Sequence, residues 1–339
     1  SRSEDAIDAG THVAWSLEFL CFPSGTTGGK VDNDWPSLIE GQLNSEAANM
    51  KIERKFTKAG KDAYADLDFI TTVSEIRNPD GSVFRVFSAT TIAVGPDLRY
   101  YLTTMDGFVF ALTVSDAYTV TDSCQSAQVG ADRSILGLAF DPADAGRAKV
   151  RLYVASSTIF WKSKGLDGFA GWANGKVQTL EADVGGYCLG LTGDVITGLP
   201  VSQHDHGVNA MAFDDNGDLF LQVGSFTNAG VSLPDDLMGG VPENPLSAAT
   251  VLARLSRPDF NGTVTYDQER RPDLAVKTSG DDVAVYASGL RNSFGMVRHT
   301  SGRLFATDNG MNANFGPIST SCTTQTGEDN RPDKIVEVV

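Results

Sequence analysis

One phrase recurs along this chain: a short apolar run, a polar turn, and a second apolar run. The first copy is 91–104 (TIAVGPDLRYYLTT), and the second joins 136–142 (LGLAFDP) to 151–156 (RLYVAS). The third is 210–224 (AMAFDDNGDLFLQVG) and the fourth 295–310 (GMVRHTSGRLFATDNG). Gly, Asp, Asn and Pro between strand-length runs of β-formers read as hairpins. The copies start roughly 45, 74 and 85 residues apart. They share a sheet motif and vary in what joins them, which is how the blades of a β-propeller behave. One such sheet cannot bury both of its faces, so neighbouring sheets must stack about a common axis. A jelly roll or sandwich is the competing arrangement, but it leaves the recurrence unexplained. The expected fold is all-β: a β-propeller of four-stranded blades over 89–339, preceded by an N-terminal extension or partial β domain at 1–88.

The segments outside the phrase are less regular. Trp15, Leu17, Phe19, Leu20 and Phe22 suggest a buried strand around Cys21, residues 25–29 read as a loop, and 37–61 has no clean period. The runs 69–73 and 83–87 flank Asn78-Pro79-Asp80-Gly81, a strong turn signal, and predict a hairpin. Residues 157–202 and 227–284 read as insertions holding extra strands and long loops. Residues 246–255 suit a short helix or a strand, and periodicity does not choose between them.

The composition is that of a globular chain, and its 35 glycines favour short strands and tight turns. A formal charge of −16 over 339 residues argues against nucleic acid as a partner, since phosphate binding needs a basic face. Cys21, Cys124, Cys188 and Cys322 show no CxxC spacing, which disfavours a zinc cluster. Their even number permits two disulfides in any of three connectivities. Asn261-Gly262-Thr263 fits an N-glycosylation sequon. These features lean toward a secreted, extracellular glycoprotein. No apolar run of about 18 residues is present to span a membrane, and no signal-peptide pattern stands at the start.

The chemistry-capable residues gather at the mouth of the third hairpin, where His204, Asp205 and His206 precede its first strand. His206 is either a loop histidine satisfying backbone groups or a base, because neutral imidazole accepts a proton near physiological pH. His204 and His206 at i, i+2 share a direction in an extended segment and suit a transition metal, but no third ligand is evident. Arg291 and Asn292 either brace a blade or contact a ligand. Asp214 to Asp218 reads as a β-turn rather than a calcium loop, since no glutamate occupies the twelfth position. Asp308-Asn309-Gly310 reads as a turn as well, and Tyr100, Tyr101, Phe108 and Phe110 read as blade packing. The chain has no GxSxG elbow, P-loop, GxGxxG or HExxH, so serine hydrolase, nucleotide and zincin chemistry lack support.

In SILGLAFDP (134–142), DHGVNAMAFDDNGDLFLQVG (205–224), GLRNSFGM (289–296) and RLFATDNG (303–310) before PDKIVEV, the chain resembles the glucose/sorbosone dehydrogenase family. That family comprises six-bladed propellers, including soluble quinoprotein sugar dehydrogenases and hedgehog-interacting-type ectodomains. The resemblance runs from about Thr90 to Val339. It implies His206 as general base on the C1 hydroxyl of an aldose, with hydride passing to pyrroloquinoline quinone. It implies Arg291 and Asn292 on that cofactor, and the main-chain carbonyls of Gly310 and Met311 on a calcium ion that polarises it. The family's polar residue before the Leu-Gly step falls at Asp132 or Arg133. Four blades are legible, so the last two, which supply a lysine and arginines under the cofactor, are expected to be missing from this chain. Two readings result: a secreted quinoprotein oxidising a sugar substrate, or a non-catalytic extracellular module that binds protein partners within a larger cell-surface or filamentous assembly.

Overall fold

The computed structural model describes residues 75–166, 171–183, 186, 188–228, 230, 238, 240–268, 274–312 and 333–339. The expected buried strand around Cys21, the loop 25–29, the stretch 37–61 and the run 69–73 lie outside the described residues. The fold is an all-β propeller, and its described residues divide between two compact units.

The smaller unit comprises 75–84 and Val114–Thr121. Its predicted turn is present: the Gly81 amide donates to the Asn78 carbonyl, and Gly81 takes φ +84°, a conformation open to glycine. The run 83–87 forms no strand and contributes only an isolated bridge between Val83 and Arg77.

The larger unit carries the blades, save for Val114, Val120 and Thr121 of blade 1. Blade 1 comprises β1 (Ala89–Val94), β2 (Tyr100–Thr104), β3 (Val109–Val114) and β4 (Val120–Gln125), paired in that order. Blade 2 comprises β5 (Ser134–Ala139), β6 (Lys149–Ser157), β7 (Gly175–Asp183) and β8 (Gly190–Leu199). Blade 3 orders β9 (Val208–Phe213), β10 (Leu219–Val223), β11 (Ala249–Ala253) and β14 (Val283–Ser288). Between the last two strands, β12 (Thr265–Tyr266) and β13 (Lys277–Ser279) form a two-stranded ribbon. Blade 4 comprises β15 (Ser293–Arg298), β16 (Leu304–Asp308) and β17 (Lys334–Val338). The apparent insertion 157–202 therefore holds the outer strands of blade 2, and 227–284 holds β11 and the start of β14 of blade 3. Residues 246–255 resolve into β11.

Each phrase became the two inner strands of one blade because its apolar residues serve two interfaces. In β6, Leu152 and Val154 pack toward blade 1, while Tyr153 and Ala155 pack toward blade 3. In β10, Leu219 and Leu221 face blade 2, and Phe220 faces blade 4. Side chains alternate across a strand, so a run apolar at every position is required of a sheet covered on both sides. A one-sided sandwich would show polar alternates instead.

The inner strands pack in sequence, β1 on β5, β5 on β9 and β9 on β15. Each blade breaks register between its first two strands, at Ala89/Thr91, Ile135/Gly137, Leu221/Val223 and Ser293/Met296. All four breaks lie where the inner strand begins. Bulges of this kind bend the strand and re-aim the residues before it. The segments carrying Arg133, His206 and Asn292 directly precede β5, β9 and β15, at the end of the hub where the inner strands begin.

Candidate functional site

At that end of the hub, His206 lies in the loop leading into β9. Its side chain is 3% exposed. Its Nδ1 is 2.9 Å from the Ser225 carbonyl oxygen. A carbonyl only accepts, so Nδ1 carries the proton and Nε2 keeps its lone pair. The Asp205 Oδ1 lies 3.8 Å from Nε2 and 2.5 Å from Nδ1 of His204. Burial, reinforced by the positive charge of Arg291, pushes the His206 pKa down to about 4. Although burial opposes its charge, Asp205 is held at about 2 by the bond from His204 and the charges of His206 and His204. At neutral pH this is a neutral imidazole beside a carboxylate.

Arg291 meets the same short segment. The Ser225 amide donates to the Arg291 carbonyl at 2.7 Å. Ser225 thus grips the histidine through its carbonyl and the arginine through its amide. The Arg291 Nε donates to Asn228, at 3.0 Å to Oδ1 and 3.2 Å to the carbonyl. Asn228 also exchanges hydrogen bonds with the backbone of Asn312, beyond the end of β16. Asn292 is buried, its Oδ1 accepting from Asn209 Nδ2 at 2.7 Å and its amide donating to Asp308. Gly310 donates its amide to Asp333, and Gly310 and Met311 are half-buried.

The structure therefore links His206 and Arg291 through the 225–228 segment, with Asn292 next to Arg291 in the chain, while Gly310 and Met311 stand just before Asn312, which bonds to Asn228. Asn292 uses its oxygen for bracing. Arg133 braces as well, donating to Ser156 and to the carbonyls of Ser156 and Asn174. Asp214 to Asp218 forms the expected turn, with Gly217 at φ +84° and the Asp214 carboxylate receiving the amides of Asn216 and Asp218. Sequence reasoning missed Ser225, Asn228, Asn209 and Glu243. Ser225 directly follows the Gln-Val-Gly at the end of β10 and Asn228 stands three residues further on, the one cue that pointed to them.

The donor set suits an acidic quinone and a hard cation. Arg291 supplies a guanidinium fixed through Nε, and a fixed fork recognises carboxylate and carbonyl edges. Carbonyl oxygens such as those of Gly310 and Met311 are ligands of the kind calcium prefers. Next to Asn292, Asn209 Oδ1 is fully buried and has no hydrogen-bond partner among the described residues.

No family model matches the chain. A stretch of 34 residues, 10% of the chain, is 62% identical to vitamin B12-dependent ribonucleotide reductase of Agrobacterium fabrum, and covers 3% of that protein. Among solved structures, the PQQ domain of pyranose dehydrogenase from Coprinopsis cinerea in its holo form aligns with a TM-score of 0.50 at 15% identity, over 75% of this chain and 51% of that one. An oxidoreductase from Thermus thermophilus described as a glucose dehydrogenase aligns at 16% identity with a TM-score of 0.44, over 78% of this chain and 65% of that one. The chain spans about half the length of the pyranose dehydrogenase domain and shares its fold.

Proposed function

We propose that this propeller oxidises an aldose or related sugar at the hub end carrying His206, as a secreted quinoprotein dehydrogenase. The observation that carries the reading is the 225–228 segment, in which the Ser225 carbonyl holds the neutral imidazole of His206 and Asn228 holds the Arg291 guanidinium through Nε. Pyrroloquinoline quinone would be held by Arg291 and Asn292, and calcium by the carbonyls of Gly310 and Met311. When bound, the calcium-polarised quinone supplies the acceptor for the hydride leaving sugar C1. His206 Nε2 accepts the proton of the C1 hydroxyl, because Nδ1 is already committed as a donor. The neighbouring Asp205 carboxylate stabilises the imidazolium that forms. The disulfide between Cys124 and Cys188 agrees with an oxidising compartment.

The test is dye reduction by the full chain supplied with quinone, calcium and a panel of aldoses. Turnover is expected, and His206→Ala should lower it by about 100-fold or more. Arg291→Ala should weaken quinone affinity by about tenfold or more. Saturating quinone and calcium with neither a spectral change nor dye reduction would sink the proposal.

A further inference from the structure

The carboxylate of Glu243 lies outside the strands and has no part in the chemistry above, yet it holds the segment on which that chemistry depends. Its Oε1 accepts from the Thr227 amide at 3.0 Å and the Thr227 hydroxyl at 2.6 Å. Its Oε2 accepts from the Phe226 amide at 2.9 Å and the Ser247 hydroxyl at 2.6 Å. The Phe226 amide also reaches Oε1, at 3.1 Å. Two consecutive backbone amides and a hydroxyl from 226–227 thus converge on one carboxylate. Ionised acceptors make the stronger hydrogen bonds.

On either side of this anchored pair stand the residues that contact the site. Ser225 precedes it, its carbonyl on His206 and its amide on Arg291. Asn228 follows it and holds Arg291 Nε. The 225–228 segment lies beyond the ladder of β10, so past the Ser225 amide its path is held by side-chain contacts. Phe226, buried against Trp172 with ring centroids 6.1 Å apart, anchors it from beneath. Glu243 anchors it through polar contacts.

We propose that Glu243 is a positioning residue of this site, setting the 225–228 segment and through it the orientation of His206 and Arg291 together. Its importance for turnover rests on the dehydrogenase reading, whereas its effect on the imidazole does not. The groups acting on that imidazole are Asp205, His204 and Arg291, of which Arg291 shares the Ser225 anchor.

Long-range nitrogen–proton spectra of the imidazoles in the full chain, with His206 assigned by its loss in His206→Gln, provide a readout needing neither quinone nor sugar. In the parent, His206 should stay in its Nδ1–H form and titrate near 4. In Glu243→Ala the loosened segment should admit water, mix the tautomers and move the midpoint up by about one unit or more toward 6.5. Glu243→Gln, whose oxygen can still accept from Thr227, should retain most of the parent signature. Ser247→Ala removes a donor outside the segment and should leave His206 unchanged. If Glu243→Ala does not fold, Thr227→Val should shift His206 in the same direction by a smaller amount.

An unchanged His206 in folded Glu243→Ala, or in Thr227→Val if the former does not fold, would overturn the inference. So would an equal shift in Ser247→Ala. Under dye reduction, Glu243→Ala should lower kcat about 10–100-fold with the sugar KM changed much less. A parent without activity whose imidazole still responds to Glu243 would refute the dehydrogenase reading and leave this one standing. An active parent with an unresponsive imidazole would do the reverse.

Discussion

At the scale of a single residue, the protonation state of His206 has a consequence for stability. Burial lowers its pKa to about 4, against an ordinary value of 6.5. Between those values the unfolded chain binds the proton and the folded chain does not. The folded state should therefore lose stability as pH falls through this window. From pH 7.5 to pH 4.5 the loss attributable to His206 is about 2–3 kcal/mol. Denaturant unfolding of parent and His206→Gln at the two pH values checks this. The parent should lose more than the variant by that amount, and equal losses would mean that the imidazole is hydrated in the folded protein. A dehydrogenase relying on His206 should likewise keep its base unprotonated well below pH 6. Locally, the His-Asp-His sequence revealed a titratable cluster. It could not reveal which nitrogen carries the proton, since Ser225 settles that from 19 residues away.

Among the elements, the inner strands decide whether the hub can form. Gly137 of β5 faces the backbone of β9, and a Cβ there would lie 2.2 Å from the Asn209 carbonyl oxygen. No real Cβ tolerates that approach, so Gly137→Ala must push two inner strands apart, at a cost of about 2–4 kcal/mol. Gly193 of β8, where an added Cβ meets nothing within 4 Å, should accept Ala within about 0.5 kcal/mol. Comparing the two urea midpoints measures how tightly the hub is packed. Blades 1 and 2 are also joined covalently at their outer edges, where Cys124 of β4 bonds to Cys188 before β8, 64 residues apart. Replacing both cysteines by serine should cost about 2–4 kcal/mol through the freed chain entropy of the unfolded state. An unchanged unfolding midpoint would show that the bond adds nothing to the packing of blades 1 and 2. The cysteine count had left three pairings open, and only spatial proximity selects this one.

At the scale of the whole molecule, the apolar clusters among the described residues fill the seams between successive blades, and the proposed site lies at the end where their inner strands begin. The strand-turn-strand runs exposed this plan because their apolar residues occupy both parities, a pattern that demands a neighbour on each face. The outer strands were harder to see. β8 carries Gly190, Thr192, Gly193 and Asp194, and β14 has exposed Val285 and Tyr286, so neither looks like a buried strand by sequence. Of the residues proposed for the site, His206, Arg291 and Asn292 could be named from the chain alone. Glu243 could not, because nothing in a Val-Pro-Glu-Asn-Pro loop indicates which amides its carboxylate will meet. Local pattern determined that sheets would stack and where turns would fall, since these follow from the period of side chains along a strand. Tertiary structure alone decided the tautomer, the braced guanidinium and the disulfide partner. Each depends on distance and burial between segments remote in sequence, and no local period encodes those.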